Sequence, residues 1–211
     1  MVPQFIFLMI GAYLLGSVPS AYLAMRWSRG VDIRQQGSGN VGASNVLSTG
    51  PKWLVVPVAL FDIGKGAVSV VIANWLLDVP LYEINIFVLL AGLASVAGHM
   101  WSIYLKFTGG NGLAATIGVL AMLMPPALGI VLVIMLILTA ITHNPVLSLN
   151  IGLLSLPASA WFLEKSWLPV IFSILLIAIM VINFIPTAMT ALSKAGSGSN
   201  LTAELLRRNK T

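Results

Sequence analysis

Charged residues are scarce in this sequence and cysteine is absent. Only 8% of the 211 residues are charged, against about 25% in a typical soluble domain, while 58% are hydrophobic. So few charges cannot give a soluble globular protein a polar surface, which excludes that class. The chain is also too hydrophobic to stay disordered in water. Without cysteine there can be no disulfides, thiolate metal sites or thiol nucleophiles. The composition therefore predicts one polytopic membrane domain of the all-α class.

Long uncharged runs give the expected membrane spans, since about 20 apolar residues cross the hydrocarbon layer. Such runs cover 1–25, 84–105, 144–163 and 166–193, and a further run, 53–77, is apolar except for Asp62 and Lys65. The uncharged stretch 107–142 is too long for one crossing. It is divided by the glycines at 109–112 and by the proline pair at 125–126, which predicts helices at about 113–124 and 127–142.

Basic residues set the expected orientation. They cluster in the first loop, at Arg26, Arg29, Arg34 and Lys52, and in the tail, at Lys194, Arg207, Arg208 and Lys210. With both clusters in the cytoplasm, the N-terminus lies outside as a retained span without a cleavage signal. Stretch 107–142 must then cross twice, giving seven spans, or not at all, giving five spans and a re-entrant hairpin. We expect a membrane domain at 1–193 and a basic cytoplasmic tail at 194–211, with a short surface helix at 201–208.

The first loop is rich in residues that bind anions. Between Gly37 and Asn45 it contains three glycines, two serines and two asparagines. Glycine allows successive backbone N–H groups to turn toward an anion, and the guanidinium of Arg34 just upstream suits phosphate. A flexible linker is the alternative interpretation, because such compositions are common in linkers. The spacing does not fit a nucleotide-binding P-loop.

A second glycine-rich segment, Thr108 to Gly112, lies on the same predicted side and leads directly into a helix. A helix N-terminus presents unpaired N–H groups and the positive end of the helix dipole. Together the two loops predict a pocket for an anionic head group, and a pair of tight turns is the alternative.

Three polar residues stand inside apolar spans. Asp62 and Lys65 are three residues apart, so they share a helix face and can pair. At 1.5 Å per residue, Asp62 and His99 lie roughly 13 and 9 Å from the cytoplasmic ends of their spans, at a similar depth below the two loops. Charged groups at such depth face a bundle interior or a cavity, with a structural ion pair as the simpler alternative.

Several catalytic signatures are absent from the sequence. Neither His99 nor His143 is followed by aspartate at the spacing of a His–x4–Asp acyltransferase motif, and no Gly-x-Ser-x-Gly elbow occurs. No His/Glu metal cluster appears, so we expect no metal and no cofactor. A reaction here would depend on a good leaving group, positioning and charge stabilisation, which suits an activated, phosphorylated substrate.

The segment from Gly30 to Val46 resembles the first signature of the bacterial acyl-phosphate:glycerol-3-phosphate acyltransferases. Segments 61–66, 93–100 and 107–116 are similar to that family's second span, third span and second signature. The resemblance implies seven spans in the bacterial inner membrane. It also implies transfer of a fatty acyl group from acyl phosphate to the 1-hydroxyl of glycerol 3-phosphate, giving lysophosphatidic acid in phospholipid synthesis.

The resemblance assigns roles by position. It implies catalytic roles for Ser38, Asn40 and Asn45, and supporting roles for Asp62, Lys65 and His99. The residues implied to bind substrate phosphate are Arg34, Gly37, Gly39, Gly42, Ser44, Gly109, Gly110, Asn111 and Gly112. The implied partners are glycerol 3-phosphate, fatty acyl phosphate, membrane lipids and an acyl-phosphate-forming enzyme, with no nucleic acid.

The sequence departs from the family pattern where positive charge is expected. Asn111 stands where the family has lysine, Ser48 where it usually has arginine, and the last span reads Asn183-Phe184-Ile185 in place of a basic signature. Each charge-assisted contact is worth roughly 1.5–3 kcal/mol. The alternative is therefore a weakened or catalytically silent relative that binds a phospholipid or an anionic lipid precursor.

Overall fold

Ten α-helices make up the computed structural model, which describes residues 2–195. They are α1 (Val2–Ser17), α2 (Ser20–Arg29), α3 (Ala43–Thr49), α4 (Val55–Leu77), α5 (Ile86–Met100), α6 (Leu113–Leu123), α7 (Pro125–Thr142), α8 (Pro145–Leu153), α9 (Leu156–Glu164) and α10 (Trp167–Ala195). Within these residues the regular structure is entirely helical, which confirms the all-α prediction. The tail at 196–211, including the helix expected at 201–208, lies outside the described residues.

Five segments are long and apolar enough to cross a membrane, and a sixth is formed if the bent pair α8–α9 counts as one span. Helix α6 has 11 residues and is about 16 Å long, roughly half the hydrocarbon thickness. The prediction of seven transmembrane helices is therefore not confirmed. The two helices expected within 107–142 are present, with α7 beginning at Pro125 because the first turn of a helix tolerates proline.

The first span is broken in its second half. Helices α1 and α2 are separated by Val18 and Pro19, so the Val18 carbonyl is not used by a regular helix. It accepts a hydrogen bond from the Lys65 ammonium at 2.9 Å. The break thus supplies a backbone acceptor inside the bundle, opposite the polar residues of α4.

Glycines bring two helix pairs into close contact. A methyl group at Gly98 of α5 would overlap the Tyr13 carbonyl of α1, and one at Gly118 of α6 would overlap the Ile63 carbonyl of α4. Small residues permit this backbone approach, which gives van der Waals contact where lipid offers no hydrophobic driving force. These contacts fix the ends of α5 and α6 that carry the second glycine-rich loop.

The first loop has a hydrophobic core of its own. Ile33 and Val46 are fully buried beneath it, and Val41 is nearly so. They pack with Met25 of α2 and Val58 of α4 in a cluster separate from the main core. The flexible-linker alternative does not fit a loop that buries this much apolar surface.

Candidate active site

Asn45, in the first turn of α3, holds the first glycine loop, which we define as residues 37–42. Its side-chain amide donates to the carbonyls of Ile33, Gln36 and Asn40 at 3.0–3.2 Å. Its Oδ1 accepts the backbone N–H of Ser38 at 3.1 Å. Because Asn45 is only 1% exposed, its geometry favours a positioning role, and a catalytic role stays a prediction.

The backbone of this loop turns sharply on both sides of Ser38. Gly37 and Gly39 have φ of +54° and +71°, a left-handed conformation that glycine adopts without strain. Gly42 is extended and precedes α3. These turns bring Ser38 and Asn40 to the wall of a cavity.

The second glycine loop, residues 109–112, is fastened to its surroundings at three points. Gly110 N–H donates to the His99 carbonyl at 2.9 Å, and the Gly110 carbonyl accepts from the Asn183 amide of α10 at 3.2 Å. The Gly109 carbonyl accepts the N–H of Val41 at 3.3 Å, which joins the two loops directly. Gly110 also packs on the His99 ring, leaving no room for a side chain.

A cavity of about 640 Å³, here the larger cavity, opens beside the joined loops. Its polar lining consists of Ser38, Asn40, Ser44, Ser48, Asn111, Asn144, Asn150 and Asn183. The remaining wall is apolar and comes from α8 and α10, for example Leu147, Ile151 and Phe184. The polar part of the lining suits a hydroxylated head group, and the apolar part suits a hydrocarbon chain.

Sequence reasoning assigned no site role to three of these side chains, Asn144, Asn150 and Asn183, although it noted Asn183 where the last span departs from the family signature. Asn144 caps the N-terminus of α8, where its side chain accepts the N–H of Leu147. The amide of Asn183 in an otherwise apolar span was a usable signal, because a polar side chain at such a position needs hydrogen-bond partners. The other two gave no comparable signal.

A smaller cavity of about 330 Å³ adjoins the larger one and shares Asn40, Ser44 and Asn111 with it. Gly42, Asp62 and His99 also line it. Residues of both glycine loops therefore meet above polar residues of α4 and α5, as the sequence predicted. Among the predicted phosphate-binding residues, Gly37, Gly39, Gly109, Gly110 and Gly112 lie in the loops but outside both linings.

Asp62, Lys65 and His99 form a buried charge cluster. Asp62 Oδ1 lies 2.9 Å from Lys65 Nζ and 3.5 Å from His99 Nδ1, and it accepts from Ser20 Oγ at 2.8 Å. The side chains of Asp62 and Lys65 are each 2% exposed. The predicted pairing of Asp62 with Lys65 is confirmed, and the cluster ties α2, α4 and α5 together.

Arg34 is engaged outside both cavities. Its guanidinium bonds both carboxylate oxygens of Asp32 at 2.6–3.1 Å and stacks over the Tyr22 ring. The hydrogen bonds from Arg34 lower the pKa of Asp32 and raise that of Arg34. A phosphate contact for Arg34 stays a prediction and would require the guanidinium to leave this pair.

Comparisons with known proteins settle the family. The family model described as glycerol-3-phosphate acyltransferase matches residues 6–193. The chain belongs to the glycerol-3-phosphate acyltransferase family. It is 41% identical over 201 residues to glycerol-3-phosphate acyltransferase 2 of Dehalococcoides mccartyi, covering 95% of this chain and 93% of the relative. It is 38% identical over 178 residues to the enzyme named glycerol-3-phosphate acyltransferase of Desulforudis audaxviator, covering 83% and 86%.

A solved structure shares the fold. The crystal structure of PlsY, an integral membrane glycerol 3-phosphate acyltransferase in its glycerol 3-phosphate form, superposes with a TM-score of 0.78 at 28% identity. The match covers 90% of this chain and 92% of that chain. The lysophosphatidic acid form matches with a TM-score of 0.74. These matches and the apolar helices identify a multi-pass membrane protein.

Proposed function

We propose that this protein transfers a fatty acyl group from acyl phosphate to the 1-hydroxyl of glycerol 3-phosphate, giving lysophosphatidic acid and phosphate for phospholipid synthesis. The larger cavity carries this proposal, because it joins a hydroxyl- and amide-lined end to an apolar wall in one space. Ser38, Asn40 and Asn111 would hold the reacting head groups, and the wall of α8 and α10 would hold the acyl chain.

The chemistry needs no base from the protein. The acceptor oxygen attacks the acyl carbonyl carbon, the bond from that carbon to the phosphate oxygen breaks, and the proton leaves on phosphate. Every polar side chain lining the larger cavity in the described part of the chain is serine or asparagine, and these are hydrogen-bond partners rather than bases. Positioning and donor groups aimed at the developing oxyanion would supply the rate enhancement.

The cellular setting belongs to the same proposal. Arg26 and Arg29 end α2, and Lys52 precedes α4, so basic residues flank the first loop. The positive-inside rule then puts the loops and the cavity in the cytoplasm, with the N-terminus outside. In a bacterium this membrane is the inner one, where an acyl-phosphate-forming enzyme would supply the donor.

Phosphate release tests the reaction. Purified protein in detergent receives palmitoyl phosphate with or without glycerol 3-phosphate, and free phosphate and lysophosphatidic acid are both measured. We expect equal amounts of the two products and no phosphate release above background without acceptor. Phosphate released without acylated product would indicate simple hydrolysis and contradict the proposal.

The described lining of the larger cavity holds no cation that would stabilise the charge developing during acyl transfer. One second candidate is therefore a relative that binds an anionic lipid precursor without turning it over. Tight binding of palmitoyl phosphate, with no lysophosphatidic acid formed when glycerol 3-phosphate is added, would support that candidate.

A further inference from the structure

Asn183 is a half-buried amide in the most hydrophobic of the five candidate spans. An amide in such a span is costly unless it is hydrogen-bonded. Its Nδ2 donates to the carbonyl of Gly110 at 3.2 Å, across 73 residues of sequence. Ser173 on the same helix instead donates to the carbonyl of Pro169, within α10. The bond of Asn183 therefore connects α10 to the second glycine loop.

Residue 110 has to be glycine, and glycine alone does not fix the orientation of its peptide. A methyl group at Gly110 would overlap the His99 ring. Without a side chain, rotation of the backbone at this position meets little steric resistance. Hydrogen bonds must then set the orientation. The Gly110 N–H donates to the His99 carbonyl, and the Gly110 carbonyl accepts from Asn183.

The bond from Asn183 also fixes the next backbone donor. In a planar trans peptide the C=O and N–H groups point to opposite sides. The N–H of Asn111 therefore points away from Asn183 while the Gly110 carbonyl is bonded to it. Rotation of this peptide would exchange a donor for an acceptor on that side of the loop and would move Asn111, which lines both cavities.

We propose that Asn183 is a positioning residue for acyl transfer, because its bond to Gly110 holds the second glycine loop in the orientation that places Asn111 at the wall shared by the two cavities. The effect on activity rests on the proposed function, in which Asn111 holds a reacting head group. Asn183 also lines the larger cavity near Val181 and Phe184. The helix that borders the acyl chain thus also anchors the loop that contacts the head groups.

Hydrogen exchange tests the anchoring and requires no activity. Asn183→Leu replaces the amide by an apolar side chain of similar size, which suits a membrane span. In nanodiscs, peptides covering 109–112 should exchange about two- to tenfold faster than in the wild type, because one neutral hydrogen bond is lost. Ser173→Ala, the matched control, removes a bond within α10 and should leave the loop unchanged. Unchanged exchange in Asn183→Leu, or in Asn183→Ala if the leucine variant does not fold, would overturn the inference.

A double-mutant cycle tests whether Asn183 acts through Asn111. With palmitoyl phosphate and glycerol 3-phosphate, Asn183→Leu should lower kcat/KM by about two- to tenfold. In an Asn111→Ala background the same substitution should have a much smaller effect, because the side chain that it displaces is already absent. Asn111→Ser replaces this background if its turnover is too slow to measure. Equal falls in both backgrounds would show that the two residues act independently and would overturn the inference.

The outcomes separate this inference from the proposed function. Faster loop exchange in Asn183→Leu, with no acylated product from the wild type, would support the anchoring and remove the proposed function. Acylation by the wild type, with neither exchange nor kcat/KM changed in Asn183→Leu, would keep the function and remove the inference.

Discussion

Two polar regions lie next to each other in this bundle and differ in both charge and access. The side chains of the buried charge cluster of Asp62, Lys65 and His99 are at most 5% exposed, and Asp62 and His99 reach the smaller cavity. The larger cavity has a polar lining that is neutral in the described part of the chain. Charge here joins helices, while the polar groups that face the larger cavity are neutral hydrogen-bonding groups.

The physical reason lies in the cost of desolvation. A charge inside the bundle is tolerated only when a partner compensates it, so the partner must be permanent, as Lys65 is for Asp62. A ligand site is empty for part of the time. Asparagine and serine in such a site can exchange hydrogen bonds with water while no ligand is bound, at little cost.

Breaking the charge cluster should give the largest effect. Lys65→Met leaves the Asp62 carboxylate buried without its cation, and the free energy of unfolding should fall by about 3–5 kcal/mol. Unfolding in mixed micelles measures this loss. The double variant Asp62→Leu/Lys65→Met removes both charges and should recover most of the stability. Equal losses in the single and double variants would show that the pair contributes packing rather than charge compensation.

Removing one cavity amide should affect activity without affecting stability. Asn40→Ala should lower kcat/KM by about a hundred- to a thousandfold, as loss of one transition-state donor does elsewhere. The unfolding midpoint should stay near that of the wild type. Asn85→Ala removes a helix-capping amide before α5, away from the cavities, and serves as the matched control. Wild-type turnover in Asn40→Ala would remove this residue from the mechanism.

Asn45 should combine both effects, because its side chain bonds the backbone of the loop that carries Ser38 and Asn40. Asn45→Ala leaves buried carbonyls of Ile33 and Asn40 without their donor, and stability should fall by about 1–3 kcal/mol. Activity should fall with it, since Ser38 and Asn40 lose their support. Asn45→Asp keeps the acceptor for Ser38 but loses the donors, so it tests which bonds matter. A stable but inactive Asn45→Ala would instead favour the catalytic role.

The smallest effect should come from the partly exposed pair of Asp32 and Arg34. Asp32→Asn should cost no more than about 1 kcal/mol at neutral pH, because solvent screens such pairs. The hydrogen bonds from Arg34 lower the pKa of Asp32, so this stability is present above the carboxyl's ordinary pKa and lost as pH falls through the lowered value. Unfolding at pH 7 and in acid should show a difference between wild type and variant only at the higher pH.

The membrane segments and the loop contacts differ in how well sequence reasoning anticipated them. The apolar runs, the helix break at the proline pair and the pairing of Asp62 with Lys65 could be derived from spacing alone, and the structure confirms them. The sequence also predicted that the two glycine loops meet, and in the structure a hydrogen bond from the Val41 N–H to the Gly109 carbonyl joins them. The count of seven spans was not confirmed, because α6 is too short to cross by itself.

Other features depend on contacts between distant segments. The sequence marks Asn45 and Asn40 equally as polar loop residues, yet Asn45 points into the loop and Asn40 lines both cavities. Likewise Asn183 reaches Gly110, which is 73 residues away along the chain. Spacing along one helix cannot predict such a pair, since it depends on how α10 packs against the end of α5.

The hydrophobic runs alone determined that this chain folds as helices in a membrane. In the hydrocarbon layer there is no water to bond the backbone N–H and C=O groups, and a helix lets an uncharged run of about 20 residues bond them internally. Glycine content determined where the chain could turn tightly. Only the tertiary structure decided which polar side chains face the cavity and which hold the loops. That choice depends on contacts between distant segments. Because the helices pack closely in one arrangement, this arrangement determines which partners each amide can reach.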